Sequence, residues 1–205
     1  GRSELLRRRA QSADLEPYED VAARTGAQIT VSRRHATETL FPEVAHAFAA
    51  IADPALALRL AYDPGGTEDP AEARVRLAER RERDARLGAA SFGPHRDDVH
   101  VDLGGHEARK VASQGQHRAI ALALKIAEGR TVRSATGHEP VFLLDDISSE
   151  LDRERTRALL TFLSEMRAQT LLSTTRPELI MQALSHREIA HFRIVAGSIE
   201  AAGRA

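Results

Sequence analysis

The sequence predicts an α/β fold in which helices cover a mainly parallel sheet, with a helical arm in front of it. Two observations carry that reading. Up to residue 87 the chain is dominated by helical periodicity and charge, and after Gly88 short apolar runs alternate with amphipathic stretches. Strands that alternate with helices pair in parallel and are covered on their faces. The implied organisation is an arm with one short strand over residues 1–87 and an α/β part over residues 88–205, without internal repeats or a low-complexity linker.

Taken in order, Val21, Ile29, Ala36, Leu40, Val44, Phe48 and Ile51 recur as one stripe of a long amphipathic helix between Leu15 and Ile51. Pro42 is expected to kink or divide it, because proline removes a backbone donor and crowds the preceding turn. LALRLAY (56–62) alternates as a half-buried strand and DPGG (63–66) closes it. The arginine- and glutamate-rich stretch 70–87 reads as an exposed charged helix. VHVDL (99–103), Gly104-Gly105 and HEARKVA (106–112) read as a hairpin, with Val99, Val101 and Leu103 on its buried face. Next comes a helix opened by Ser113 and Gln116 at capping-box spacing, with Ile120, Leu124 and Ala127 as its stripe. A buried strand Val141–Leu144, a helix over 152–166, a strand over 170–174, a short helix after Pro177 and a final strand near HFRIVAG complete the order.

At 205 residues the chain holds one domain plus an appendage. Charged residues make up 29%, yet the net charge is -1, so nucleic-acid binding must be argued from local patches. There is no cysteine, hence no disulfide framework or thiolate metal site. No apolar stretch approaches membrane-spanning length and the first residues do not form a signal peptide, which gives the expectation of a soluble, cytoplasmic protein.

The chemistry concentrates in three short stretches. VFLL ends on Asp145 and Asp146, and the carboxyl edge of an open α/β sheet is where ligands sit. One carboxylate there can hold magnesium and the next can orient an attacking water, although strand-then-aspartate also serves simply to cap a turn. Ser113, Gln114, Gly115 and Gln116 open a helix whose first N–H groups face an anion, or else form an ordinary cap. Ser149-Glu150-Leu151-Asp152 lies one short step beyond the acid pair and alone is also just a cap.

Their order is the informative part. A Ser-Gln-Gly-Gln helix start, an apolar strand ending Asp-Asp, then Ser-x-Leu-Asp resembles the signature motif, Walker B strand and D-loop of ABC-type ATPases. FGPHRDD (92–98), ASQGQHRAIALALKIAE (112–128) and VFLLDDISSELD (141–152) resemble the RecF family of SMC-like DNA repair ATPases, and AARTGAQITVSRRHATETLFPEVA (22–45) is similar to its helical arm. The resemblance implies the carboxyl-terminal part of an ABC-type ATPase head plus an arm. It implies that Asp145 acts on Mg2+, that Asp146 orients the water, and that Ser113, Gln114, Gly115 and Gln116 meet the γ-phosphate of ATP bound to the opposite subunit of a homodimer, with Ser149 and Asp152 crossing the same interface. It further implies binding to double-stranded and gapped DNA, RecO, RecR and RecA as partners, and work in DNA recombination, replication and the SOS response to DNA damage. Where many relatives place a switch histidine this sequence has Ser173-Thr174-Thr175, so a threonine is expected to serve.

The phosphate loop G-x-x-x-x-G-K-[ST] is absent, since Lys110 follows Arg109 and Lys125 follows Leu124 and there is no other lysine. A helix terminus contributes about 0.3–2 kcal/mol toward an anion, whereas millimolar binding needs about 4 kcal/mol. The chain alone is therefore expected to bind ATP weakly or not at all and not to hydrolyse it. Three rival readings remain open. His95, Asp97, Asp98 and His100 suit a metal or a solvated strand face. Arg74, Arg76, Arg80, Arg81, Arg83 and Arg86 suit weak, salt-sensitive DNA contact or a salt-laced helix. The whole chain could also be a non-catalytic protein-interaction module of a repair complex.

Overall fold

The computed structural model describes residues 2–8, 12–52, 55–146, 153–166, 168–184 and 189–204. Its residues form two compact units, one of residues 1–41 and 59–102 and the other of residues 42–58 and 103–205. Strands and helices alternate through the second unit, so the fold is α/β.

In the first unit, α1 (Arg2–Arg7) precedes α2 (Ser12–Ile51), which continues unbroken through Pro42 rather than dividing there, and whose residues beyond 41 belong to the second unit. The buried side of its first part is not the expected aliphatic stripe, because Val21 and Ile29 are exposed. Leu15, Glu19, Ala23, Ala27 and Thr30 are buried instead, spaced three to four apart. These are mostly small residues, and the reason is the neighbour: Ala73 and Leu77 of α3 (Pro70–Glu79) pack against Ala23, with Phe92 beside them. Small side chains let the helices approach.

The charged stretch 70–87 is also more structured than a single exposed helix. Asp69 caps α3 by accepting from the Ala71 N–H at 2.8 Å, and the chain breaks at Arg80 before α4 (Arg81–Leu87). Arg81 pairs bidentately with the buried Glu19, and Arg74 pairs with Asp20 at 3.0 Å. β1 (Leu58–Asp63) and β2 (Asp98–Leu103) are sheet neighbours. The expected buried face of β2 is realised only toward its end: Leu103 is buried, Val101 half-buried and Val99 exposed.

In the second unit the return strand β3 is only His106–Glu107, after which α5 (Ala108–Val111) replaces the rest of the expected hairpin arm. Gly104 and Gly105 make the turn with φ of 62° and 89°, a region that glycine enters freely. α6 (Gln114–Thr136) buries Ile120, Ala123, Ile126 and Ala127, while Leu124 is half-buried. β4 (Val141–Leu144) pairs in parallel with β5 (Gln169–Leu172), and α7 (Arg153–Glu165) lies between them in sequence. Val44, Phe48 and Ile51 of α2 are buried within this unit, as are Leu159, Leu160 and Leu163 of α7.

β4 departs from the expected central, fully buried strand. Among the described residues its one strand neighbour is β5, and Val141 and Leu143 are 56% and 75% exposed, whereas Phe142 is buried. A period-two strand covered on one face buries only alternate residues. After α8 (Pro177–Ala183) the single expected final strand is an antiparallel hairpin, β6 (Ala190–Val195) with β7 (Ser198–Arg204), turned at Ala196-Gly197. The second strand reads SIEAAGR, too poor in β-branched and aromatic residues to announce itself.

Candidate functional site

The acid pair stands where the apolar run stops. Phe142 anchors β4 by turning its ring onto α6, so close that a Cβ on Gly129 would lie 2.6 Å from the Phe142 ring. Asp145 follows on the exposed end of the strand, and Asp146 takes a left-handed backbone with φ of 41°. That region is uncommon for a side chain other than glycine, though aspartate and asparagine tolerate it best.

The residue that holds the pair is Ser173, immediately past the end of β5. Its backbone N–H donates to the Leu144 carbonyl at 2.9 Å, extending the parallel ladder by one bond. Its hydroxyl donates to Asp145 Oδ1 and accepts from the Asp146 N–H at 3.0 Å. One hydroxyl thus serves both acids. Thr174, which follows, accepts from the Arg176 N–H at 2.9 Å and so shapes the turn into α8.

The helix start is built as its spacing implies. Ser113 accepts from the Gln116 N–H at 3.3 Å, and Gln116 Oε1 accepts from the Ser113 N–H at 2.7 Å, a complete capping box. No acidic residue lies in the first turn of α6, so the positive end of the helix is not neutralised from within. Gly115 has the Arg155 guanidinium of α7 lying against it, 2.6 Å from where a Cβ would stand. Gln114 is the first residue of the helix. Ser149 and Asp152 lie outside the described residues.

Both lysines are accounted for as surface ion pairs. Lys110 meets Glu107 at 2.6 Å and Lys125 meets Glu128 at 3.0 Å. Neither stands on a glycine-rich loop.

In the first unit the stretch 92–98 builds a polar knot. Asp97, with a side chain 7% exposed, accepts from Arg33 and Tyr62 at 2.6 Å each and from the Gly65 N–H at 2.9 Å. Burial pushes the Asp97 carboxyl up, but the hydrogen bonds from Tyr62, Arg33 and Gly65 outweigh it and hold the group below the ordinary carboxylate value. The Tyr62 hydroxyl is pushed up to about 12, first by burial and then by its bond to Asp97. His95 Nε2 is 2.9 Å from the Ala90 carbonyl oxygen, and His100 is 3.3 Å from Asp63. Among the described residues no three His, Cys, Asp or Glu side chains gather to hold a metal. The arginines of 74–86 are largely engaged too: Arg76 pairs with Glu72 at 3.1 Å and Arg80 lies over the Phe92 ring at 4.9 Å, beside the Arg74 and Arg81 pairs above. No described helix is long and apolar enough to cross a membrane.

Sequence reasoning missed the part of Ser173 and the knot around Asp97. The first has its partners 27 and 28 residues away, and the second draws on residues 32 to 64 positions apart. No local pattern encodes such distances.

No family model matches the chain. Among curated proteins it is 42% identical over 201 residues to the DNA replication and repair protein RecF of Anaeromyxobacter dehalogenans, covering 93% of this chain and 54% of that one. It is 42% identical over 179 residues to that of Myxococcus xanthus (82% and 47%) and 41% identical over 202 residues to that of Moorella thermoacetica (94% and 53%). The chain thus spans about half the length of the curated relatives it matches. Among solved structures it is similar to the recombination mediator protein RecF with ATP in the RecFOR pathway, with a TM-score of 0.75 and 26% identity over 98% of this chain and 55% of that one. An Smc head bound to the C-winged helix domain of ScpA shares the fold, with a TM-score of 0.51 and 16% identity over 82% of this chain and 42% of that one.

Proposed function

We propose, from the premise that this chain is RecF-like and is a carboxyl-terminal part of a DNA replication and repair protein, that it supplies one wall of an ATP site completed by other polypeptide. The observation that carries the proposal is the acid pair at the end of β4, Asp145 exposed and Asp146 half-buried, bonded together by Ser173.

Magnesium suits this pair. It takes hard oxygen ligands and keeps several waters, and Asp145 offers an exposed carboxylate of which one oxygen is set by Ser173. When bound, the metal would neutralise charge on the phosphates. Asp146 is the carboxylate for orienting water. The turn 113–116 offers the first N–H groups of α6 and the Ser113 hydroxyl to a terminal phosphate on an opposite subunit, and Ser149 and Asp152 are assigned to that interface. The fit is partial: neither lysine can act as a phosphate-loop lysine, paired as they are on α5 and α6. Alone, the chain is expected to show no micromolar affinity for Mg-ATP by isothermal titration. Joined in frame to the amino-terminal half of the Anaeromyxobacter dehalogenans relative, it should gain ATP-dependent dimerisation and slow hydrolysis, and Asp146→Asn should abolish the hydrolysis. Micromolar binding by the chain alone, or hydrolysis indifferent to Asp146→Asn, would overturn the proposal.

The division into an arm over 1–87 and an ATPase half over 88–205 belongs to the same reading. So do ATP-controlled binding to double-stranded and gapped DNA, work beside RecO, RecR and RecA in loading recombinase, the SOS response, and a cytoplasmic location. With Arg74, Arg76 and Arg81 paired to acids, DNA binding by this chain alone is expected to be weak and to fall with salt.

One observation favours a second reading, a docking module without chemistry. On the β6–β7 hairpin Phe192, Ile194 and Ile199 are exposed, and Ile194 pairs across the strands with Ile199. If Asp145→Asn and Asp146→Asn leave repair by the full-length protein intact, docking is the better account.

A further inference from the structure

We infer that Ser173 is a positioning residue for the acid pair. The inference rests on the reading of Asp145 and Asp146 given above and names the group that sets their geometry.

A serine hydroxyl has one proton and two lone pairs. Here the proton goes to Asp145 Oδ1 and a lone pair takes the Asp146 N–H at 3.0 Å. The first bond fixes which way the Asp145 carboxylate faces. The second supports Asp146 in its left-handed turn, with φ of 41°, where a residue with a side chain needs support from its surroundings. The hydroxyl itself is located by the backbone: the Ser173 N–H donates to the Leu144 carbonyl at 2.9 Å, one step past the β4–β5 register of Leu144 with Leu172. Both acids are therefore tied to the sheet through this hydroxyl.

The Thr174 hydroxyl accepts from the Arg176 N–H in the turn before α8, so its substitution should disturb that turn. A hydroxyl directly behind a metal-binding carboxylate also has a chemical effect. It engages one Asp145 oxygen and orients the ligand before any cation arrives.

The test uses the full-length protein carrying this sequence, with Ser173→Ala, Ser173→Thr, Thr174→Ala and Asp146→Asn compared. Hydrogen exchange of the amide at Asp146, read without nucleotide, should speed up about tenfold in Ser173→Ala and stay within about twofold in Ser173→Thr, which keeps the hydroxyl. The Mg2+ concentration for half-maximal ATP hydrolysis should rise about tenfold in Ser173→Ala, with maximal rate at saturating Mg2+ less affected, and be restored in Ser173→Thr. Unchanged exchange at Asp146 in Ser173→Ala, or a Mg2+ requirement that follows Thr174→Ala instead, would overturn the inference. Loss of hydrolysis in Asp146→Asn with a silent Ser173→Ala would sink this inference alone, whereas a silent Asp146→Asn would sink the reading it rests on.

Discussion

Asp97 and the Asp145-Asp146 pair are carboxylates treated in opposite ways. Asp97 is withdrawn from water and receives donors from a helix, a strand and a turn of the first unit. The pair in the second unit stands at the end of a strand with one described neighbour, and the Ser173 hydroxyl bonds both of its members. A carboxylate that accepts bonds at both oxygens and is nearly saturated has little capacity left for a ligand and contributes to stability. Asp145, exposed and bonded by Ser173 at one oxygen, costs the fold little. The contrast separates a structural acid from the pair proposed to do chemistry.

The largest expected effect comes from breaking the saturated side. Asp97→Ala leaves the Tyr62 hydroxyl, the Arg33 guanidinium and the Gly65 N–H short of an acceptor, and should destabilise the protein by about 3 kcal/mol in urea unfolding. Asp145→Ala, by contrast, should cost less than about 0.5 kcal/mol, as an exposed surface change does. Equal costs would erase the contrast.

Next comes the anchor of the working side. Gly129→Ala would place a methyl group 2.6 Å from the Phe142 ring and 3.4 Å from Pro140, and a buried ring cannot swing clear, so a loss of about 2 kcal/mol is expected by thermal unfolding. Phe142→Leu in the same protein should recover part of it.

pH gives a third handle. The folded protein holds Asp97 below its ordinary value of 3.8, so its contribution is present above that value and is lost as pH falls through the lower, folded one. Tyr62 is held at about 12 against 10.0, so its contribution is complete below pH 10 and is lost between pH 10 and about 12. Tyr62→Phe should flatten the alkaline fall in a titration of unfolding free energy against pH. Survival of the full fall in that variant would remove Tyr62 from the explanation.

The smallest expected effect is at the helix start. At Gly115 the crowding atom belongs to the far end of the flexible Arg155 side chain rather than to backbone, so Gly115→Ala should change stability by less than about 0.5 kcal/mol. In the double variant with Arg155→Ala the two changes should not add, since removing the Arg155 side chain removes the group that the new methyl would crowd.

How much of this was legible depended on how local the physics is. Ser113 and Gln116 satisfy each other within one turn, so their spacing announced the start of α6. The run Val141–Leu144 announced a strand, but exposure of Leu143 depends on what lies beside the strand, and the run cannot say. Pro42 does not divide α2, because the lost bond and the crowded turn can be offset by the tertiary packing of Val44 and Phe48. Small residues at Ala23 and Ala27 carried a helix contact that a search for large apolar side chains passes over. Ser173 was seen as the absence of a histidine, and only its two bonds reveal what stands in that place.

The central claim is that the 113–116 turn of one subunit and the acid pair of another complete one nucleotide site. Full-length protein with Gly115→Trp and full-length protein with Asp146→Asn should each be inactive in ATP hydrolysis. Mixed one to one, half of the dimers are heterodimers that retain one intact site of two, so about a quarter of the unmodified activity should return. A mixture as inactive as its parents, under conditions where subunit exchange is verified, would contradict the claim.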